Sequence, residues 1–187
     1  MPNYVIKSPR ECKGIVMNPE DLKLRVLMIH KDKKELEGTN VLKYIEYGES
    51  QKFGKGDKAS IPAQRPTCAS WERWYDLGEE IRSDISFPER FRKRYLVLSN
   101  EENACLNKNL YGITSVEKEY SEPLCAILNS SFVIVTAELG GRLPGGGGGP
   151  LDLDVEMVKS LSIPKPSKIA KSQLQKLSEA FDKLSQR

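Results

Sequence analysis

The chain has 187 residues, of which 39% are hydrophobic and 29% charged, with a formal net charge of +3. This is the composition of a globular protein with one sizeable core and excludes a disordered or collagen-like chain. No apolar run reaches the ~20 residues of a membrane-spanning helix, because residues 124–139 are interrupted by Asn129, Ser130, Ser131 and Thr136. The first residues, 1–4, lack the charged and apolar regions of a signal peptide, and the chain is expected to be cytoplasmic, with no membrane partner.

In chain order, residues 4–7 and 24–30 are rich in branched side chains and flanked by turn formers, so both predict strands. Residues 41–47 place Val41, Leu42 and Ile45 at helical spacing, with Gly48 after them, which predicts a short helix stopped by glycine. Residues 48–56 predict a hairpin or loop. A charged start at Arg92 leads into Tyr95-Leu96-Val97-Leu98, a buried strand ending at a Ser99-Asn100 turn, and another short strand is expected within 104–114. Ser121 reads as a helix N-cap, with Glu122 and Pro123 in the first turn, and that helix should run towards Leu139 before Gly140-Gly141 ends it. Residues 143–150, Leu-Pro-Gly-Gly-Gly-Gly-Gly-Pro, suit no regular element and are expected to form a loop. After Ile163-Pro164-Lys165-Pro166, Ser167 reads as the cap of a last helix. Its residues Ala170, Leu174, Leu177, Phe181 and Leu184 form one apolar stripe, either packed on its own domain or open as a seam for another. The expected division is therefore a domain over 1–165 and an amphipathic helix over 166–187.

Catalytic patterns are absent from the sequence. Gly48 and Gly54-Lys55 are separated by five residues, where a phosphate loop needs four, and Gly56 stands where that loop needs a hydroxyl. The sole histidine, His30, has no Gly-x-Ser-x-Gly elbow to serve and reads as a polar residue at a strand end. Cys12, Cys68, Cys105 and Cys125 are too far apart in sequence to suggest a zinc site and read as reduced thiols. Asp152 and Asp154 read as acidic residues leading into the amphipathic stretch 155–161 rather than as a catalytic pair.

Positive charge is clustered: residues 82–94 hold Arg82, Arg90, Arg92, Lys93 and Arg94 against Asp84 and Glu89. Arg65-Pro66-Thr67-Cys68-Ala69-Ser70, followed by Arg73-Trp74-Tyr75-Asp76-Leu77-Gly78, resembles the segment of the same kind in adenine-specific (N-6) DNA methyltransferases with TaqI-like C-terminal specificity domains. Leu36-Glu37-Gly38-Thr39, Tyr44-Ile45, Arg90-Phe91, the Asn107-Lys108-Asn109-Leu110-Tyr111-Gly112-Ile113 run, residues 124–130 with their Leu-Asn-Ser end, residues 138–149 and Leu161-Ser162-Ile163-Pro164 are similar to that family in the same order. The resemblance implies an α+β fold, with irregular β-rich structure and a helical C-terminal part, that recognises duplex DNA for a separate catalytic domain. S-adenosylmethionine belongs to that catalytic domain, whose Asp/Asn-Pro-Pro-Tyr motif is missing here: Asn18-Pro19 is followed by Glu20-Asp21. Under this resemblance Arg65, Arg73, Arg90, Arg92, Lys93, Arg94, Lys108 and Arg142 are candidates for phosphate or guanine contacts, and Asn107 and Asn109 for adenine. A restriction-nuclease fragment and a protein-interaction module without DNA affinity stand as alternatives.

Overall fold

The computed structural model describes residues 3–56, 59–78, 82–144 and 148–186. The fold is α+β, with about 41% helical structure and 14% strand in small sheets. The chain divides into two compact units, one formed by Met1–Val26 with Ile81–Arg187 and the other by Leu27–Glu80.

The discontinuous unit holds the strands β1 (Tyr4–Ile6), β2 (Leu24–Arg25), β3 (Ile85–Pro88), β4 (Arg90–Phe91), β5 (Leu98–Ser99), β6 (Cys105–Leu106), β7 (Leu110–Ile113) and β8 (Leu151–Asp152). They form sheets in the orders β2-β1-β6, β5-β3-β7 and β4-β8. β1 pairs antiparallel with β2 and parallel with β6, Val5 facing Cys105, and so joins residues a hundred positions apart in sequence. β3 is central in its sheet and all its residues are buried. Its Phe87 and Ile85 enter a core with Val97, Cys125, Leu128, Val133, Leu153 and Phe181, while a neighbouring cluster gathers Ile6, Met17, Leu22 and Leu98.

Several expected elements shorten for identifiable reasons. The strand expected over 95–98 contracts to β5, because the Asn129 side chain takes both backbone groups of Val97: its Oδ1 accepts from the Val97 N–H at 3.0 Å and its Nδ2 donates to the Val97 carbonyl at 2.8 Å. Beyond Arg25 the expected strand over 24–30 has no partner strand and is irregular. The 104–114 region yields β6 and β7 rather than one strand.

The helix expected from Ser121 to Leu139 is two helices, Ser121–Leu128 and Ser131–Gly140, meeting at 66°. Asn129 stops the first, and the Ser130 hydroxyl caps the second by accepting from the Val133 N–H at 3.4 Å. Ser121 is no cap; it lies in the first turn and its hydroxyl donates to Asp84 at 3.1 Å. Asp154 does cap the short helix Val155–Lys159, accepting from the Met157 N–H at 2.9 Å. The last helix, Lys171–Ser185, starts later than expected because Pro166–Lys168 winds a 3-10 turn that encloses Ser167. This helix packs on Ser121–Leu128, with Phe181 buried and Leu174 and Leu177 half-buried, so its stripe serves the unit's own core, whereas Ala170 and Leu184 are exposed. The glycine tract falls outside the described residues at 145–147, and its described part is neither helix nor strand. No single helix among the described residues is long and apolar enough to cross a membrane.

The second unit contains the helices Asn40–Ser50 and Pro66–Ala69. In order along the whole chain the helices are therefore α1 (Asn40–Ser50), α2 (Pro66–Ala69), α3 (Ser121–Leu128), α4 (Ser131–Gly140), α5 (Val155–Lys159) and α6 (Lys171–Ser185). Ile29, Leu36 and Ile45 form the second unit's core, with Val41, Leu42, Trp74 and Tyr75 packed against it. Thr39 caps α1, accepting from the Leu42 N–H at 3.2 Å. Gly48 does not stop α1; it is buried inside the helix, where an added Cβ would lie 2.5 Å from the end of the Trp74 ring. The glycine is there for close approach rather than for termination.

Candidate nucleic-acid interface

On the discontinuous unit, the chain reverses at Ser8 into a 3-10 turn, Pro9–Glu11. The turn is held by a capping box in which the Glu11 carboxylate accepts from the backbone N–H groups of Lys7, at 2.8 Å, and Ser8, at 3.3 Å. Across from it, the Glu89 N–H donates to the Asn109 carbonyl at 3.0 Å, which ties β3 and β4 to the turn before β7. Between them lies a cleft of about 400 Å³, lined by Lys7, Arg10, Glu89, Arg90, Arg92 and Asn109 among others.

These side chains are not equivalent. The Arg90 guanidinium is paired bidentately with the Asp152 carboxylate on β8, through Nε to Oδ1 and through Nη2 to Oδ2 at 2.9 Å. That hydrogen bond, with the carboxylate charge, stabilises the charged guanidinium and raises its pKa above the ordinary arginine value. Lys7, Arg10 and Arg92 are exposed, and among the described residues their side chains have no ion pair or hydrogen bond. The Asn109 side chain is likewise exposed and open, whereas Asn107 uses its Oδ1 to accept from the Asn109 N–H at 3.3 Å and so shapes the turn. The cleft thus offers three uncompensated cations, one open amide and one carboxylate, Glu89.

The other expected residues are dispersed. Lys93 and Lys108 are exposed near the same segments but do not line the cleft. Of residues 90–94 only Arg90–Phe91 is extended in a sheet, and Arg92 and Lys93 form a bend. Arg94 donates to the carbonyls of Cys12 and Lys13, both at 3.1 Å, and anchors the loop that leads to β2. Arg142 reaches Asp154 at 3.6 Å. Arg65 and Arg73 belong to the second unit. Arg73 lies between Asp32, at 3.0 Å, and Asp76, at 2.9 Å. His30 meets Asp76 at 2.9 Å within that unit rather than ending a strand. The Gly78 N–H, followed by His30 and Arg73, holds the Asp76 carboxyl below the usual carboxylate range. Lys7 and Arg10 escaped the sequence reading, although Ser8-Pro9-Arg10-Glu11 spells a capping box and signals a turn that redirects its neighbours. Among the described residues no group of His, Cys, Asp and Glu side chains is arranged to hold a metal ion.

The family described as "Type II methyltransferase M.Eco57I, C-terminal domain" matches residues 5–186. The chain belongs to that family. Both units fall within the match, so the M.Eco57I C-terminal domain family takes in the cleft and the Arg73 cluster alike. Comparison with curated proteins and with solved structures gives no match.

Proposed function

We propose that this chain is the target-recognition domain of an adenine-specific DNA methyltransferase, holding duplex DNA for a catalytic domain that carries S-adenosylmethionine and performs the methyl transfer. The observation that carries the reading is the cleft, where Lys7, Arg10 and Arg92 stand uncompensated beside the open amide of Asn109. Cations without internal partners suit phosphate oxygens, and they bind with release of the counterions condensed on DNA. An amide that presents a donor beside an acceptor matches the N6 and N7 edge of adenine in the major groove. Lys93 and Lys108, exposed near the same segments, extend the phosphate contacts, whereas Arg142 faces Asp154. Arg90 and Arg94 serve mainly to fix the walls, their guanidinium groups being engaged by Asp152 and by backbone carbonyls.

The described residues do not fit S-adenosylmethionine. Its usual cradle is a glycine turn leading from a parallel strand directly into a helix, and among the described residues no strand runs directly through glycine into an α-helix. No methyl-transfer step is therefore assigned to this chain.

Selection of a random duplex library on the chain, followed by fluorescence anisotropy with the enriched sequence, tests the proposal. The expected result is an enriched motif for which Asn109→Ala loses about 1 to 3 kcal/mol, while its binding to random duplex is unchanged. Lys118→Ala, away from the cleft, should match the parent on both. A library that stays random after selection would contradict target recognition.

A further inference from the structure

On the second unit, α1 turns Ile45 and the edges of Val41 and Leu42 into the core, which leaves Lys43, Tyr44 and Tyr47 on its outer face. Tyr44 is 64% exposed, Tyr47 51% and Phe53 38%. Tyr47 and Phe53 meet edge to face with centroids 5.5 Å apart. Phe53 is fixed by reciprocal backbone hydrogen bonds with Ser60, both 2.9 Å, and the Ser60 hydroxyl accepts from Arg65 Nε at 3.0 Å. Ser60 pairs directly opposite Phe53, which puts the two side chains on one side of the bridge, so that bond holds the guanidinium on the Phe53 side, and its terminal nitrogens have no partner among the described residues.

We infer that this face, with Tyr44, Tyr47 and Phe53 edged by Lys43 and Arg65, is a stacking surface for unpaired nucleobases of DNA. The branched aliphatic side chains of α1 are turned inward, so its outer face offers rings and cations. Rings stack on any base, and the flanking cations meet the backbone phosphates that accompany it. Of the two carboxylates on α1, Glu49 is engaged by Lys33 at 2.6 Å and by the Trp74 indole N–H at 2.8 Å, which leaves Glu46 against Lys43 and Arg65. The inference rests on the DNA-binding reading for the class of ligand, but it concerns a different surface and a different state of the DNA.

The test uses the whole chain and two DNAs of one sequence, a fully paired duplex and the same duplex with a single bulged 2-aminopurine. The chain should quench the bulged base, because stacking on a ring quenches its fluorescence. Tyr47→Ala and Phe53→Ala should abolish most of that quenching and weaken binding to the bulged DNA about five- to a hundredfold. Both variants should bind the paired duplex like the parent. Tyr47→Phe, which keeps the ring, should quench normally, and Tyr44→Ala, at the most exposed ring, gives a partial loss with no folding burden. Paired-duplex binding without quenching would overturn this inference and leave the cleft standing. Quenching without paired-duplex binding would do the reverse, and alanine variants that quench like the parent would overturn the stacking surface.

Discussion

A single side chain, Asn129, closes the gap between α3, α4 and the segment before β5. Its amide stands in for a neighbouring strand by satisfying the Val97 N–H and carbonyl, and it also donates to the Cys125 carbonyl at 2.9 Å. Asn129→Ala would leave the buried Val97 backbone unpaired, and an unmade bond of this kind costs about 1 to 3 kcal/mol. The expected outcome is a lower denaturant midpoint with an unchanged slope, measured by circular dichroism. Beside it, burial pushes the Cys125 thiol from 9.0 up to about 12, and burial first, then Asp21 and Glu11, pushes Cys12 up to about 11. In both cases the folded state retains a proton that the unfolded state releases near pH 9. The stability linked to these thiols is therefore complete below pH 9 and falls away as pH rises towards 11 and 12. Denaturation of the parent at pH 8 and pH 10.5 should show that fall, and Cys125→Ala should make it shallower. An equally steep fall in the variant would show that the thiol is not its source.

At the scale of elements, the signals that were readable in the sequence were the local ones. Asp154, read as an acidic residue leading into 155–161, caps α5 through a hydrogen bond its side chain makes three residues on, and the middle of the α6 stripe, Leu174, Leu177 and Phe181, turned inward. The break between α3 and α4 was obscured because the apolar run resumes beyond Asn129, Ser130 and Ser131, and the contact of Asn129 with Val97, distant in sequence, fixes the helix end there. The role of Gly48 was hidden for the same reason: it depends on Trp74, which sits in another segment of the second unit. In Gly48→Ala the gain in helix propensity of about 1 kcal/mol is opposed by a Cβ driven into a ring that Glu49 holds in place. The clash should prevail, which would appear as a shifted tryptophan emission and a lower melting temperature. For α6, Phe181→Ala should cost about 3 to 5 kcal/mol, since that ring is 3% exposed. Leu184→Ala, at 45% exposure, should stay within about 0.5 kcal/mol. Equal effects from the two substitutions would contradict the docking of α6 through Phe181.

For the whole molecule, the α+β class and the positive charge of the 82–94 region could be read from the sequence, but the cleft could not. It joins the turn after β1 to residues about eighty or more positions away, and no periodicity records that β1 will pair with β6. The candidates chosen by residue type therefore included arginines whose charge is spent internally, Arg73, Arg90 and Arg94, and omitted Lys7 and Arg10, which are free to meet an anion. The account rests on those free cations, and the salt dependence of duplex binding tests it most directly. Anisotropy across a salt series with a random duplex should give a plot of log affinity against log salt with a slope of roughly −4 to −5, as expected for four to six neutralised phosphates. The triple variant Lys7→Ala, Arg10→Ala, Arg92→Ala should bind more weakly and flatten that slope by nearly one unit per cation removed. Absence of binding at low salt, or a triple variant with the slope of the parent, would contradict the cleft as the DNA-binding surface.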